Sequence, residues 1–556
     1  MRKMTIPFIS AFVKSLFRRR LRRIMRGYRS LRRTNQVGLL SSVHEELINL
    51  HFAKVDISSA KLLFGAGCQK AELIIRQYLF TRIGGLGLNE ALLYSLGTKN
   101  SSVVYPMPRE WQEVVRNFGF RIAGMRCSLA WLGYVAILWG YGVLSVAKYA
   151  VISLRELIWP HVAPMGRYVY FSGLTAGNLP QPCRDGRSHD VVTWYFRWKE
   201  KADHVDAFCH SVAGAGAHNR HDFKPLFVPH PVLPLCDFNC FVLFIKWALL
   251  AVGRSGWGLF SDRWWSAVLL AESAKAAMVR FQLSDKLARD YLFHNSGRIY
   301  RPLWTYEAER KGSRIIFYFY STNMGTFKRF EGFPSHVGSW KIMNWPLYLV
   351  WDECQANFLR QVVHGVANVK IVGSIWFQSS SAEIADLPEG SVAVFDVQPH
   401  RSSRYQILGA PEEYYVPEVA NQFLSDIHAC IRERGGVMVH KRKRNIGKKL
   451  HPKYAALVKS FDVVPDVISV DPDISPIRVI EGCCAVISMP LTSTALLGRD
   501  LGKPSVFYDP CGIVQKDDRF AHGVRVLSGK NELRDWLAGL TGFPGTGAYL
   551  GARESL

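Results

Sequence analysis

From Ile9 onward the apolar residues Phe12, Val13, Leu16, Phe17, Leu21, Ile24, Met25, Tyr28 and Leu31 recur at three- and four-residue steps, while arginines fill the opposite positions. That spacing predicts a basic amphipathic helix. Residues 128–147 form a run of twenty without a charge, long enough to cross a bilayer but interrupted by glycine and serine and rich in aromatic residues. A second apolar run, residues 240–252, is shorter and carries Lys246, which disfavours a span there. Short apolar blocks at 168–171, 191–196 and 315–320 read as strands of an amino-terminal domain, preceded by a mixed α/β region over residues 45–127. Residues 306–311 read as a helix ended by Gly312.

Beyond residue 390 the pattern becomes regular. Strands are predicted at 392–397, 437–440, 485–488 and 505–508, with helices at 421–434, 495–501 and 532–540. Strand, helix, strand, helix in this order argues for a parallel sheet with right-handed crossovers. Ser379-Ser380-Ser381 and Pro388-Glu389-Gly390 suit a hinge. The chain therefore divides into a basic arm (1–44), an amino-terminal α/β domain (45–385, with apolar segments 128–154 and 240–252), a carboxy-terminal α/β domain (386–545) and a tail (546–556).

Chemistry concentrates at predicted strand ends. The strand at 485–488 leads into Thr492-Ser493-Thr494 and then a helix. The unpaired N–H groups and positive dipole end of that helix make an anion cradle. The same hydroxyls would also serve as ordinary helix caps, and the local pattern does not choose between the two. The strand at 437–440 is followed by Lys441-Arg442-Lys443-Arg444 and then by His451-Pro452. A basic loop after one strand and a hydroxyl loop after another is how an open α/β sheet builds a crevice at its strand ends, and phosphate is the expected ligand. In the amino-terminal half, Arg301, Glu307, Glu309 and the loop Ser321-Thr322-Asn323 are expected near strand ends that face the crevice, although both glutamates also suit a solvated helix surface.

His451-Pro452 followed some forty residues later by Ser493-Thr494 resembles the "HP" and "SS/ST" motifs of bacterial sialyltransferases, polysialyltransferases and capsule Kdo transferases. The layout is also similar to that of teichoic-acid glycerophosphotransferases, and the resemblance covers roughly residues 300–530. It implies a GT-B fold, two Rossmann-like domains facing a cleft, in which residues 344–351 and 370–373 resemble the stretch that carries the chain between domains. It implies a metal-independent glycosyltransferase that moves a sugar, CMP-activated Kdo or a nonulosonic acid, onto a saccharide or lipid-linked acceptor of surface polysaccharide or lipopolysaccharide. Under this reading His451 contacts the donor phosphate, and as an imidazole that titrates near working pH it also suits a general acid toward that phosphate. Ser493 and Thr494 bind phosphate or nucleotide, together with Thr492, Pro452, Lys441, Arg442 and Lys443. The acidic D/E-D/E-G motif of the sialyltransferases is not present, since Glu331-Gly332 and Glu389-Gly390 each lack the preceding acid. The general base is then expected from the opposite domain, with Glu307 first, Glu309 second and Asp190 third. Two alternatives stay open: transfer of a polyol phosphate from a CDP-linked donor, and a non-catalytic membrane scaffold of polysaccharide assembly.

Charge adds a partner. The 70 basic and 45 acidic residues leave +25, and twelve of the cations lie in residues 1–33, where no acid occurs. An apolar stripe beside that charge favours an anionic membrane surface over nucleic acid. Eleven scattered cysteines without a CxxC pair, and an amino terminus without a signal-peptide pattern, suggest a reduced cytoplasmic chain. The cysteines and histidines between Cys209 and Cys240 match no standard zinc spacing, and this reading places no Asp-x-Asp motif at a strand end. No metal and no cofactor beyond a nucleotide-sugar substrate is therefore expected. The expected location is the cytoplasmic face of the inner membrane, peripheral or monotopic, with a single span through 128–147 as the alternative.

Overall fold

A computed structural model describes residues 7–543, apart from residues 37, 53–54, 100, 161–166, 181–189, 213–222, 297–298, 323–327, 329–331, 333–337, 364–367, 376–383, 385, 401–415, 444, 491 and 542. Among the described residues, thirteen strands fall into two sheets. The first holds β1 (Tyr168–Phe171), β2 (Ala207–His210), β3 (Lys224–Phe227), β4 (Asp290–His294), β5 (Arg314–Tyr318), β6 (Leu347–Val350) and β7 (Val369–Ile371), in the order β3-β2-β1-β4-β5-β6-β7. The second holds β8 (Ser391–Phe395), β9 (Val437–Lys441), β10 (Val467–Val470), β11 (Ala485–Ser488), β12 (Ser505–Asp509) and β13 (Arg525–Ser528), in the order β10-β9-β8-β11-β12-β13. Every pairing in both sheets is parallel. Each sheet is wound outward from its middle, so the winding reverses between β1 and β4 and again between β8 and β11. These are topological switch points, where an open α/β sheet leaves a crevice beyond its strand ends. All four switch-point strands are buried along their whole length, as expected of strands covered by helices on both faces. The result is the GT-B-like α/β architecture expected from the sequence.

Four local expectations change. Residues 191–196 are helical (Val191–Arg197), because Asp190 caps that segment by accepting the Thr193 N–H at 2.8 Å. A short apolar run fits a buried helix as well as a strand, and here the cap decides. Residues 45–127 are mainly helical, with helices Leu39–Asn49, Ile57–Phe64, Ala71–Ile83, Leu86–Leu96 and Arg109–Asn117 and a single bridge, Val103 to Ile122, among the described residues. Asp471-Pro472-Asp473 leaves the end of β10, so an Asp-x-Asp pair does sit at a strand end. Residues 344–351 and 370–373, expected at the domain crossover, instead contribute β6 and β7 to the first sheet.

The basic amphipathic helix forms as predicted, over Pro7–Arg33, but from Arg19 on it is not a free membrane-binding arm. Ile24, Tyr28 and Leu31 are buried, and the helix packs on Leu86–Leu96. Arg20 pairs with Glu90 at 3.3 Å, and the Arg23 guanidinium both hydrogen-bonds the Tyr94 hydroxyl and lies 5.4 Å from its ring centroid. Two glycines permit this approach. A Cβ on Gly27 would fall 1.9 Å from the Leu93 carbonyl oxygen, and one on Gly97 would fall 1.9 Å from that of Arg23. Backbone atoms cannot rotate aside as a flexible side chain would.

Gly27→Ala is therefore expected to lower stability by about 1–3 kcal/mol through forced separation of the two helices, despite the better helix propensity of alanine. Thermal unfolding followed by circular dichroism measures it; an unchanged or raised Tm would refute the close crossing.

Candidate functional site

The predicted hydroxyl triplet lies beyond β11. Thr492 keeps extended backbone (φ −86°, ψ 137°) ahead of the helix Ser493–Asp500. Its hydroxyl turns back to donate to the Met489 carbonyl at 2.7 Å, and the Thr494 and Ser488 hydroxyls lie 2.8 Å apart. Those two threonines thus close the turn, while Ser493 reaches the other domain. Its Oγ accepts the Thr322 N–H at 3.0 Å and lies 3.2 Å from the Thr322 hydroxyl. Thr322 follows β5, in the Ser-Thr-Asn loop that the sequence placed at the crevice. Asn295 donates to Ser321 Oγ at 3.0 Å and Gln355 to the Ser321 carbonyl at 3.2 Å, which fixes that loop. The carboxyl ends of the two sheets therefore touch at Ser493.

On the same edge of the second sheet, His451 caps the helix Pro452–Phe461. Its Nδ1 accepts the Lys453 N–H at 3.3 Å, and its own N–H donates to the Pro399 carbonyl, beyond β8, at 3.0 Å. Pro452 occupies the first helical position, where its missing N–H costs nothing. Arg442 is half-buried and Lys443 exposed.

Four predicted groups are held by other partners. Lys441 is 2 % exposed, and its amine donates to the Pro472 carbonyl at 3.0 Å. Burial pushes its pKa down to about 8, against the opposing influence of Asp473 and Asp471. Glu307 is 1 % exposed, with its carboxylate held by Arg280 Nε at 2.7 Å, Arg310 Nε at 2.9 Å and the Ala66 N–H at 3.1 Å. Glu309 pairs at 2.5 Å with Arg301, which is itself buried over the Tyr306 ring. Glu307 is not presented as a base, because it is buried between Arg280 and Arg310, whereas Glu309 is exposed beside Arg301. Asp190, the third candidate, is fully buried as a helix cap.

The sequence reading passed over Asp396 and His440. Asp396 follows β8 at the switch point and accepts the Tyr454 hydroxyl. His440 Nε2 lies 3.3 Å from Asp396 Oδ2, in poor alignment for a hydrogen bond, and both residues are buried. Asp396 Oδ1 and His440 Nδ1 have no hydrogen-bond partner among the described residues. The signal was present as a lone charge and a lone imidazole in otherwise apolar strand runs.

A second band of contacts ties the domains together. Asp352, after β6, meets His522 Nδ1 at 2.5 Å; the Lys328 N–H donates to Asp518 at 2.6 Å; Ser374 donates to Asp500 at 2.6 Å; Phe358 and Phe520 meet edge to face at 5.5 Å. Burial pulls the Asp352 carboxyl upward, but the hydrogen bond and charge of His522 hold it below the usual range. Asp352, Cys354 and His522 offer ligand atoms within 4.8 Å of one another, and these are the described residues spaced to share a cation.

Residues 243–537, more than half of the chain, match the family described as "Polysaccharide biosynthesis PFTS motif protein". The chain belongs to this family. Within the matched range, Pro490-Leu491-Thr492-Ser493 differs from the family's named tetrapeptide only by leucine for phenylalanine. Thr492 and Ser493 of this stretch stand at the helix start where Ser493 joins the two sheets. Among solved structures, the chain is similar to UDP-GlcNAc 2-epimerase from Methanocaldococcus jannaschii (9% identity, 48% of this chain and 75% of that one, TM-score 0.30). It is also similar to trehalose-6-phosphate synthase OtsA (9% identity, 67% and 91%, TM-score 0.34) and to TarM (12% identity, 48% and 51%, TM-score 0.29). At these scores the likeness carries no argument, and the fold rests on the strand order of the chain itself. No curated protein matches.

Glu307→Gln is expected to cost about 3 kcal/mol in denaturant unfolding, because Arg280 would stay buried without its counter-charge. Stability within about 0.5 kcal/mol of the unsubstituted protein would contradict the ion-pair assignment. For Lys441, the folded pKa of about 8 lies below the ordinary 10.5, so between those values the unfolded chain binds the extra proton and stability rises with pH. Lys441→Met removes that rise, which is worth on the order of 3 kcal/mol over the window. Parallel thermal melts of both proteins across this range read the difference, and superimposable pH profiles would count against it.

Proposed function

We propose that this PFTS motif protein is a glycosyltransferase of surface-polysaccharide biosynthesis, which moves a sugar from a nucleotide donor to a saccharide or lipid-linked acceptor. One observation carries the reading: within the family match, Thr492-Ser493 opens a helix at the switch point of a parallel sheet, and Ser493 meets Thr322 of the facing domain. Transfer from a nucleotide sugar builds negative charge on the leaving phosphate. Donors fixed in advance toward that charge lower the barrier without reorganising. The N–H groups at the start of the Ser493–Asp500 helix, the Ser493 and Thr494 hydroxyls, and His451 on the adjoining helix start are the groups proposed to meet it. Arg442 and Lys443 add cationic character at the same edge. The resemblance of His451-Pro452 and Ser493-Thr494 to the sialyltransferase and Kdo-transferase motifs favours a CMP-linked acidic sugar, whose carboxylate also suits a cationic pocket. The acceptor base is reassigned away from Glu307, which is buried as the ion-pair partner of Arg280 and Arg310, and Glu309 takes first place.

Calorimetric titration with CMP, CDP, UDP and GDP tests this directly. A cytidine nucleotide is expected to bind selectively, with affinity reduced about tenfold or more in His451→Ala and Ser493→Ala through loss of hydrogen bonds to a charged group. Failure of all four nucleotides to bind would overturn the reading.

A further inference from the structure

The two apolar runs form helices Gly124–Ile158 and Phe238–Gly258, of 35 and 21 residues. Both are long and apolar enough to cross a membrane, yet only 28% of the most apolar stretch of each is buried. The buried part is the informative one. In the longer helix Cys127, Trp131, Val135, Gly142, Val146, Tyr149 and Ser153 recur at three-, four- and seven-residue steps, so a single stripe faces the protein from one end to the other. Trp131 meets Trp264 edge to face at 5.2 Å, a Cβ on Gly142 would fall 2.7 Å from Leu270, and the Leu235 N–H donates to Ser153 at 3.1 Å. In the shorter helix Trp247 donates to the Leu62 carbonyl at 2.9 Å, and Ser255 accepts Trp139 Nε1 at 3.1 Å. A helix attached to a water-soluble body along its full length cannot cross a bilayer without taking that body with it.

The opposite faces are exposed and apolar. Ile137, Leu144, Val151, Leu249, Leu250 and Trp257 are each more than 60% exposed. Soluble monomers rarely present continuous apolar surface of this kind. The charges on these faces name what covers them. The exposed charged residues of the two helices are Arg126, Lys148, Arg155, Lys246 and Arg254, all cationic; the sole acid in either helix, Glu156, is buried. At 100° per residue, Arg126, Lys148 and Arg155 fall within about 40° of one another, in the same arc as Ile137 and Leu144 but nearer the two ends of the helix. A groove of about 480 Å³, lined by Leu249, Leu250, Gly253, Arg254, Trp257 and Arg263, opens beside it. A second copy of the chain would set cation against cation. An anionic leaflet accepts both the apolar face and its cations.

We infer that helices Gly124–Ile158 and Phe238–Gly258 together form a monotopic docking face that lies in one leaflet of an anionic membrane and does not span it. This goes beyond the transferase reading and stands independently of it, since its test measures lipid binding and not nucleotide binding. The full chain is mixed with preformed vesicles of equal parts phosphatidylcholine and phosphatidylglycerol, or of phosphatidylcholine alone, and floated on a density gradient. Flotation is expected with the anionic vesicles and is expected to weaken about tenfold or more with Lys148→Glu and Lys246→Glu combined. Leu144→Glu with Leu249→Glu, both at positions at least 70% exposed, should abolish it while leaving the circular dichroism spectrum and Tm unchanged. On the vesicles, a membrane-impermeant amine reagent should modify Lys99 and Lys199, which flank the longer helix in sequence, to equal extent. Absence of flotation, undiminished flotation of the leucine variant, a dimer that the leucine variant makes monomeric in place of lipid binding, or protection of one lysine as in a span would each overturn the inference.

Discussion

All strands in each sheet run in one direction, and most of what this molecule can do depends on that constraint. A parallel strand must return over the face of its sheet before the next can pair, so every exit loop of a sheet gathers on one edge. Reversal of winding between β1 and β4, and between β8 and β11, then opens each edge at a fixed place. The Ser493 and Thr322 hydrogen bonds join the two edges. The hydroxyl turn of one domain and the polar loop of the other are thereby held in register, as a site shared between domains requires.

The walls behind that junction are stabilised by paired charge. Glu307 holds Arg280 and Arg310, Glu309 holds Arg301, and Asp290, buried at the start of β4, accepts from Tyr195 at 2.7 Å and from Arg314 at 2.6 and 2.8 Å. Removing one partner of such a pair leaves an uncompensated charge, which costs far more than the pair contributes. Lys441 is the exception, an amine with carbonyl partners, and its pKa is lowered because burial outweighs the opposing influence of Asp473 and Asp471. Asp396 and His440 differ again. Asp396 sits at the end of the switch-point strand β8 and His440 on the adjacent β9, with polar atoms unsatisfied among the described residues, which in a buried site is costly unless something else pairs with them.

The helical amino-terminal part has a different organisation. Its helices cover one side of the first sheet, anchored by Gln77 donating to Asn344 at 2.9 Å and by the Ala66 N–H on Glu307. The two longest apolar helices form its outer layer, each with one face on this body and one away from it. The elements that build the crevice and those that carry the exposed apolar surface therefore belong to one continuous core.

The sequence by itself determined the α/β class, the regular alternation beyond residue 390, the hydroxyl turn at Thr492-Ser493-Thr494 and the helix start at His451-Pro452. Each is written in neighbouring residues, as apolar runs with defined stops or caps whose partners lie within a turn. Only the tertiary structure decided which polar groups remain available. Ser493 meets a residue 171 positions away, Glu307 meets Ala66 across 241, and Lys441 is turned to a carbonyl 31 residues on. Periodicity tells which face of an element is apolar and is silent on what covers it. For that reason the stripe through Ile24, Tyr28 and Leu31 read as a membrane arm but packs on Leu86–Leu96 through two glycines, while residues 128–147 keep one apolar face exposed.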